Sequence, residues 1–156
     1  MFMKYDDVSW HNSGDYPSDL PPENAATHIG VYLAWCLYNG FASDELKQES
    51  GEDILKVVNG SMTGAQFLLS NCDGKFWDTD LSETGQAFTS DYYENNKSEF
   101  SKQFGFFFSD YCKVLDDDKF DSVYHYEDSQ KNYNAVASVI DKRFKEWSDF
   151  KKIKKF

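Results

Sequence analysis

One segment limits what this chain can fold into more than any other. Between Pro21-Pro22 and Asn39-Gly40 the sequence contains AATHIGVYLAWCLY, and from Ile29 to Tyr38 it is apolar on almost every side of a helix. Prolines suit a first turn, where a missing N–H loses no partner. Asn-Gly supplies a stop. A surface helix keeps a polar stripe, whereas a helix without one has to be covered all round. The rest of the chain must therefore build a shell around residues 22–38.

The remainder reads as helices of ordinary length. Ser43 caps a helix through about Val58, ended by Asn59-Gly60. Thr63-Gly-Ala-Gln66 is a capping-box pattern that opens a short helix carrying Phe67, Leu68 and Leu69, stopped near Asp73-Gly74. Asp80-Leu-Ser-Glu83 repeats that pattern and predicts a helix to about Tyr93, after a turn over 75–80 holding Trp77. Phe100, Phe104, Phe107, Tyr111 and Val114 follow a helical stripe and predict one helix over 97–115. Tyr133, Val136, Ile140, Phe144 and Trp147 mark a last helix starting near Asp128 or Ser129. Residues 122–127 alternate like a short strand or extended loop. Residues 1–20, with Trp10, Gly14 and Pro17, form an irregular arm or a short strand plus loop. The lysine-rich end, 151–156, is expected to fray. With 156 residues and no linker or repeat, the expected class is all-α: one domain over 1–156, a bundle of about six helices with an irregular N-terminal arm.

Charge narrows the functional classes. The formal net charge is −11, from 27 acidic and 16 basic residues. Such a chain repels nucleic acid and anionic lipid and attracts basic partners, although solubility alone accounts for many acidic proteins. Residues 141–156 oppose the trend, with seven basic and three acidic residues (+4) against nine and 24 (−15) elsewhere. Cations there complement the C-terminal end of a helix. Cys36, Cys72 and Cys112 are too scattered for a CxxC site, the start has no signal-peptide pattern, and no run is long enough to span a membrane. The expectation is a cytoplasmic protein with reduced thiols.

Signatures of catalysis are missing. The histidines His11, His28 and His125 show no metal-ligand spacing, so no metal and no cofactor is expected; the plain reading of His28 is a hydrogen-bonded core histidine. There is no GxSxG, GxxxxGK[ST] or GxGxxG, and Arg143 is the sole arginine. Twenty-seven acids make any chosen carboxylate pair uninformative. Two constellations stand out. Tyr5-Asp6-Asp7 with Trp10-His11 precedes Thr27-His28 on the first helix, and an arm folded back would put Trp10, His11 and His28 in a small polar pocket. The simpler reading is an arm anchored by Trp10. The second constellation is Asp116, Asp117, Asp118, Asp121, Tyr124, Tyr126, Glu127 and Asp128, with acids to steer a basic partner and tyrosines to grip it. The competing reading turns those tyrosines inward.

KYDDVSWH at 4–11, THIGVYLAW at 27–35 and EDSQKNY at 127–133 resemble a family of small acidic bacterial proteins similar to the immunity proteins of polymorphic and contact-dependent toxin systems. The resemblance extends from Tyr5 to Trp147 and brings no catalytic residues with it. It implies a non-enzymatic partner of a toxin domain, a basic nuclease in the simplest case, bound through the acidic, tyrosine-rich surface. A small hydrolase with its site near Trp10, His11 and His28, or a generic protein-binding regulator, stands as the alternative. Oligomeric state stays open.

Overall fold

At the centre lies α1, Thr27–Tyr38, entered through a 3-10 turn at Pro22–Ala26. The computed structural model describes residues 2–93, 97–116 and 122–154. Every residue from Thr27 to Leu37 is buried, as a helix apolar all round requires. The shell consists of α2 Asp44–Val58, α3 Gly64–Asn71, α4 Glu83–Tyr92, α5 Glu99–Phe104, α6 Phe107–Val114 and α7 Gln130–Lys154. A small antiparallel ribbon joins β1 Lys4–Asp7 to β2 Lys75–Trp77. The protein is thus a single helical domain, as its sequence predicts. Among the described residues no helix is long and apolar enough to cross a membrane.

Two close approaches fix the packing around α1. At its crossing with α3, a Cβ added to Gly64 would lie 1.8 Å from the Gly30 carbonyl oxygen, and one added to Gly30 would lie 2.2 Å from the Ala65 nitrogen. Only two glycines allow backbones to meet so closely. On another side Trp35 packs against Phe41, Phe88 and Phe144 at ring separations of 5.5–5.7 Å. Its indole N–H donates to Asp141 on α7 at 2.8 Å, which satisfies the one polar atom of a buried side chain.

The caps at Ser43 and Thr63 form as predicted: Ser43 accepts from the Leu46 N–H, and Thr63 and Gln66 exchange both bonds of a capping box. Two expectations need correction. The helix expected over 97–115 is two, α5 and α6, broken at Gly105, whose φ of +129° suits glycine alone. Residues 122–127 are neither strand nor fully extended, because Val123–His125 makes a 3-10 turn. At the basic end α7 continues to Lys154; 155–156 lie outside the described residues.

Asp80 also departs from its expected role. Ser82, not Asp80, caps α4, and the Asp80 carboxylate instead accepts the Trp77 N–H at 2.9 Å. Burial there pushes its carboxyl up to about 6; the Trp77 bond opposes the shift, and Asp78 and Glu49 add to it. Cys72 is its other titratable neighbour. A folded pKa above the unfolded value means that stability is held at low pH and lost as pH rises from about 4 through 6. Full linkage is about 3 kcal/mol, and solvent at this half-buried group reduces it to about 1–2 kcal/mol. Asp80→Asn is therefore expected to match the parent in urea at pH 4 and exceed it by that amount at pH 8. Parallel pH profiles for the two proteins would refute this assignment.

Candidate functional site

The N-terminal arm does fold back onto α1. β1 pairs with β2 through Lys4↔Trp77, Asp6↔Phe76 and Asp7↔Lys75, with an irregularity between Lys4 and Asp6. Tyr5, Asp6 and Asp7 are all buried, so both faces of this short strand are covered. A 3-10 turn at Val8–Trp10 follows, with Asp7 capping it through the Ser9 N–H. That turn aims His11 back toward the helix. The arm's carboxylate and imidazole thus converge on His28, one helical step into α1.

The geometry is specific. The Asp6 carboxylate faces both imidazoles, with Oδ1 2.6 Å from His11 Nε2 and Oδ2 3.6 Å from His28 Nε2. The first distance is a hydrogen bond and the second is too long for one. Tyr93 donates its hydroxyl to Asp6 Oδ2 at 2.5 Å, and the Asp7 N–H donates to Oδ1 at 2.8 Å. His11 Nδ1 lies 2.9 Å from the Tyr124 hydroxyl. The two imidazoles meet edge to face at 4.4 Å. His28 is buried, and its Nε2 has no hydrogen-bond partner.

The electrostatics follow from these contacts. Burial pushes the Asp6 carboxyl up, but the hydrogen bonds and charges of His11 and His28 outweigh it and hold the carboxylate well below its ordinary range. Burial drives His28 down, toward the neutral ring, against the pull of Asp6. The cluster therefore sets a buried carboxylate against a desolvated imidazole. His11 is hydrogen-bonded at both ring nitrogens, Nε2 to the Asp6 carboxylate and Nδ1 to the Tyr124 hydroxyl.

Trp10 does not join this group. It is 56 % exposed, and its ring lies 5.0 Å from the Lys4 ammonium, which also approaches Trp77 at 5.5 Å. The pocket residues expected from sequence thus separate, His11 and His28 inward and Trp10 outward. Sequence reasoning named Asp6 in this constellation without giving it a role, placed Tyr124 on the partner surface instead, and did not bring Tyr93 to this site. The available signal was His28 itself, because a polar side chain inside an apolar helix demands buried company.

The expected partner surface divides as well. Asp117, Asp118 and Asp121 lie outside the described residues. Asp116 and Glu127 are exposed. Tyr124 bonds His11, Tyr126 packs on Tyr111 at 5.9 Å, and Asp128 accepts the Thr63 hydroxyl at 2.6 Å. The two tyrosines are half-buried and therefore spend part of their contact area inside the molecule. A second surface carries the combination of acid and aromatic. Glu45, Glu49 and Glu52 are exposed along α2, Glu52 beyond a kink at Ser50, and Glu45 shares a shallow depression with Phe2, Trp77 and Thr79. Phe2 is 74 % exposed.

A family model described as "Domain of unknown function (DUF7832)" matches residues 4–126. The match runs from β1 through the Val123–His125 turn, so it takes in Asp6, His11, His28, Tyr93 and Tyr124 and ends before α7. No curated protein and no solved structure matches the chain. Because the match spans well over half its length, the chain belongs to the family of the domain of unknown function DUF7832.

Proposed function

We propose that this protein is a binding protein of the immunity type, which neutralises a cognate toxin domain, a basic nuclease in the simplest case, by occupying its surface in the cytoplasm. The observation that carries the reading is the set of exposed acids on α2, of which Glu45 lies beside the exposed Phe2 and the half-buried Trp77, with the exposed Trp10 across Lys4 from Trp77. Charge at a rim speeds encounter with a partner of opposite sign, and exposed Trp and Phe supply the area that becomes buried. A net charge of −11 favours the same class of partner. This surface replaces the 116–128 segment as the first place to look.

The test is binding to the basic polypeptide recovered from source-cell lysate at low salt, followed by surface kinetics. Glu45→Lys with Glu49→Lys and Glu52→Lys is expected to slow association at least about tenfold at low salt and to flatten its salt dependence. Trp10→Ala is expected to speed dissociation about 30-fold, the equivalent of a 2 kcal/mol anchor. Asp116→Lys with Glu127→Lys serves as the rival surface. If only that pair changes the kinetics, the α2 face is the wrong one. If no basic polypeptide binds at any salt, the immunity reading fails.

A further inference from the structure

We infer that Asp6, His11 and His28 form a binding site for one divalent first-row transition ion of the zinc class, which fastens the N-terminal arm to the central helix. The inference is independent of the partner-binding proposal, since none of the three residues belongs to the α2 face.

Three observations converge on it. One ligand atom from each residue lies within 4.8 Å of those from the other two. A tetrahedral set with bonds of about 2.0–2.2 Å has edges of about 3.3–3.6 Å, so the widest pair needs to draw in by about 1.5 Å at most, while His11 Nε2 and Asp6 Oδ1, now 2.6 Å apart, part by about 1 Å. Second, the buried His28 Nε2 has no hydrogen-bond partner and faces Asp6 Oδ2 across 3.6 Å. An orphaned buried nitrogen is costly, and an ion gives its lone pair a use. Third, the surroundings already orient the ligands. Tyr93 and the Asp7 N–H hold the Asp6 carboxylate, and the Tyr124 hydroxyl meets His11 at its outer nitrogen. Metal-bound imidazoles characteristically carry such a partner on the nitrogen that does not ligate.

Ligand chemistry narrows the ion. Two imidazole nitrogens and one carboxylate suit zinc and its neighbours in the first transition row, whereas magnesium and calcium prefer oxygen alone. On binding, the ion takes the place of the proton between His11 and Asp6. That ring proton moves to Nδ1, which then donates to Tyr124. Three protein ligands leave a fourth position, and His11 is the partly exposed member through which it opens to solvent. Because Asp6 and His11 flank the Val8–Trp10 turn and His28 lies in α1, the ion would tie β1 and its turn to the core at one point.

The test uses the full chain after chelator treatment, with cobalt(II) as the spectroscopic probe and zinc as the competitor. The expected result is one cobalt per chain with visible bands of four- or five-coordinate geometry, displaced by zinc. Zinc held 100-fold above its Kd should raise the Tm by about 5–10 °C. His11→Ala, at the partly exposed position, and Asp6→Asn should stay folded by circular dichroism and lose binding at least 100-fold. His28→Ala adds the third ligand if it folds. Tyr124→Phe should keep the site and weaken it about 10–100-fold. Absence of cobalt bands and of any Tm rise at 1 mM zinc (on the order of a very weak site) would overturn the inference. So would undiminished binding in folded His11→Ala and Asp6→Asn, or a strong sulfur-to-cobalt charge-transfer band assigning the ion to cysteine.

Discussion

Gly64→Ala is expected to destabilise the protein by at least about 3 kcal/mol, and Gly30→Ala by a similar amount. Overpacking a core costs about 1–3 kcal/mol when side chains can shift. Here nothing shifts cheaply, because the new methyl at 64 meets the Gly30 carbonyl oxygen at 1.8 Å and the one at 30 meets the Ala65 nitrogen at 2.2 Å. Both obstacles are helix backbone. α1 cannot retreat, since it is buried along its whole length by other elements. Relief requires α3 to move out, which opens a gap beside Phe67 and Leu68, both fully buried. Gly51→Ala is the matched control: it lies in α2, beside the kink at Ser50, with nothing within 4 Å of its added methyl, and should stay within about 0.5 kcal/mol of the parent. Urea midpoints for the three variants decide the matter. A Gly64→Ala protein within about 0.5 kcal/mol of the parent would mean that α1 and α3 do not cross as described.

The second large effect is expected at Asp110, where loss of the carboxylate should cost about 3–5 kcal/mol. This buried group accepts three hydrogen bonds, from the Tyr92 hydroxyl at 2.7 Å, Arg143 Nε at 2.9 Å and Arg143 Nη2 at 3.1 Å. Arg143 is the chain's only arginine, and its planar fork matches a carboxylate edge in a way that lysine cannot. Asp110→Ala strands a guanidinium that retains only Glu146 at 3.0 Å. The double change Asp110→Ala with Arg143→Met removes both charges and should be milder than the single one. Tyr92→Phe should cost about 1 kcal/mol, the ordinary worth of one hydrogen bond. Thermal or urea unfolding of the four proteins tests the set, and a single Asp110→Ala loss below about 1 kcal/mol would contradict it.

What could be read from sequence was local. The burial of α1 follows from its own composition, and the Ser43 and Thr63 caps follow from residues three positions apart. The features that decide the packing are not local. The Gly30–Gly64 contact exists only once two helices cross, and neither glycine differs by sequence from one in a turn. Gly105 interrupts a perfect helical stripe at a φ of +129°, with Arg143 from a distant helix packed 3.0 Å from where its side chain would begin. The site shows the same division. His11 and His28 were recognisable as a pair, but Trp10 was expected beside them and instead faces solvent. Tyr93 and Tyr124 reach Asp6 and His11 across 87 and 113 residues, separations that no spacing rule spans.

The Trp35–Asp141 bond has a consequence for how the chain is made. The indole and its acceptor are 106 residues apart, and translation at about 5–20 residues per second puts roughly 5–20 s between their emergence. During that interval the most apolar helix of the protein exists without its α6 and α7 neighbours, presenting aromatic surface that the finished fold hides. The nascent chain thus passes through a sticky period whose length is set by the ribosome rather than by the folding barrier, and slower codons downstream of α1 would lengthen its exposure to chaperones and to other nascent chains.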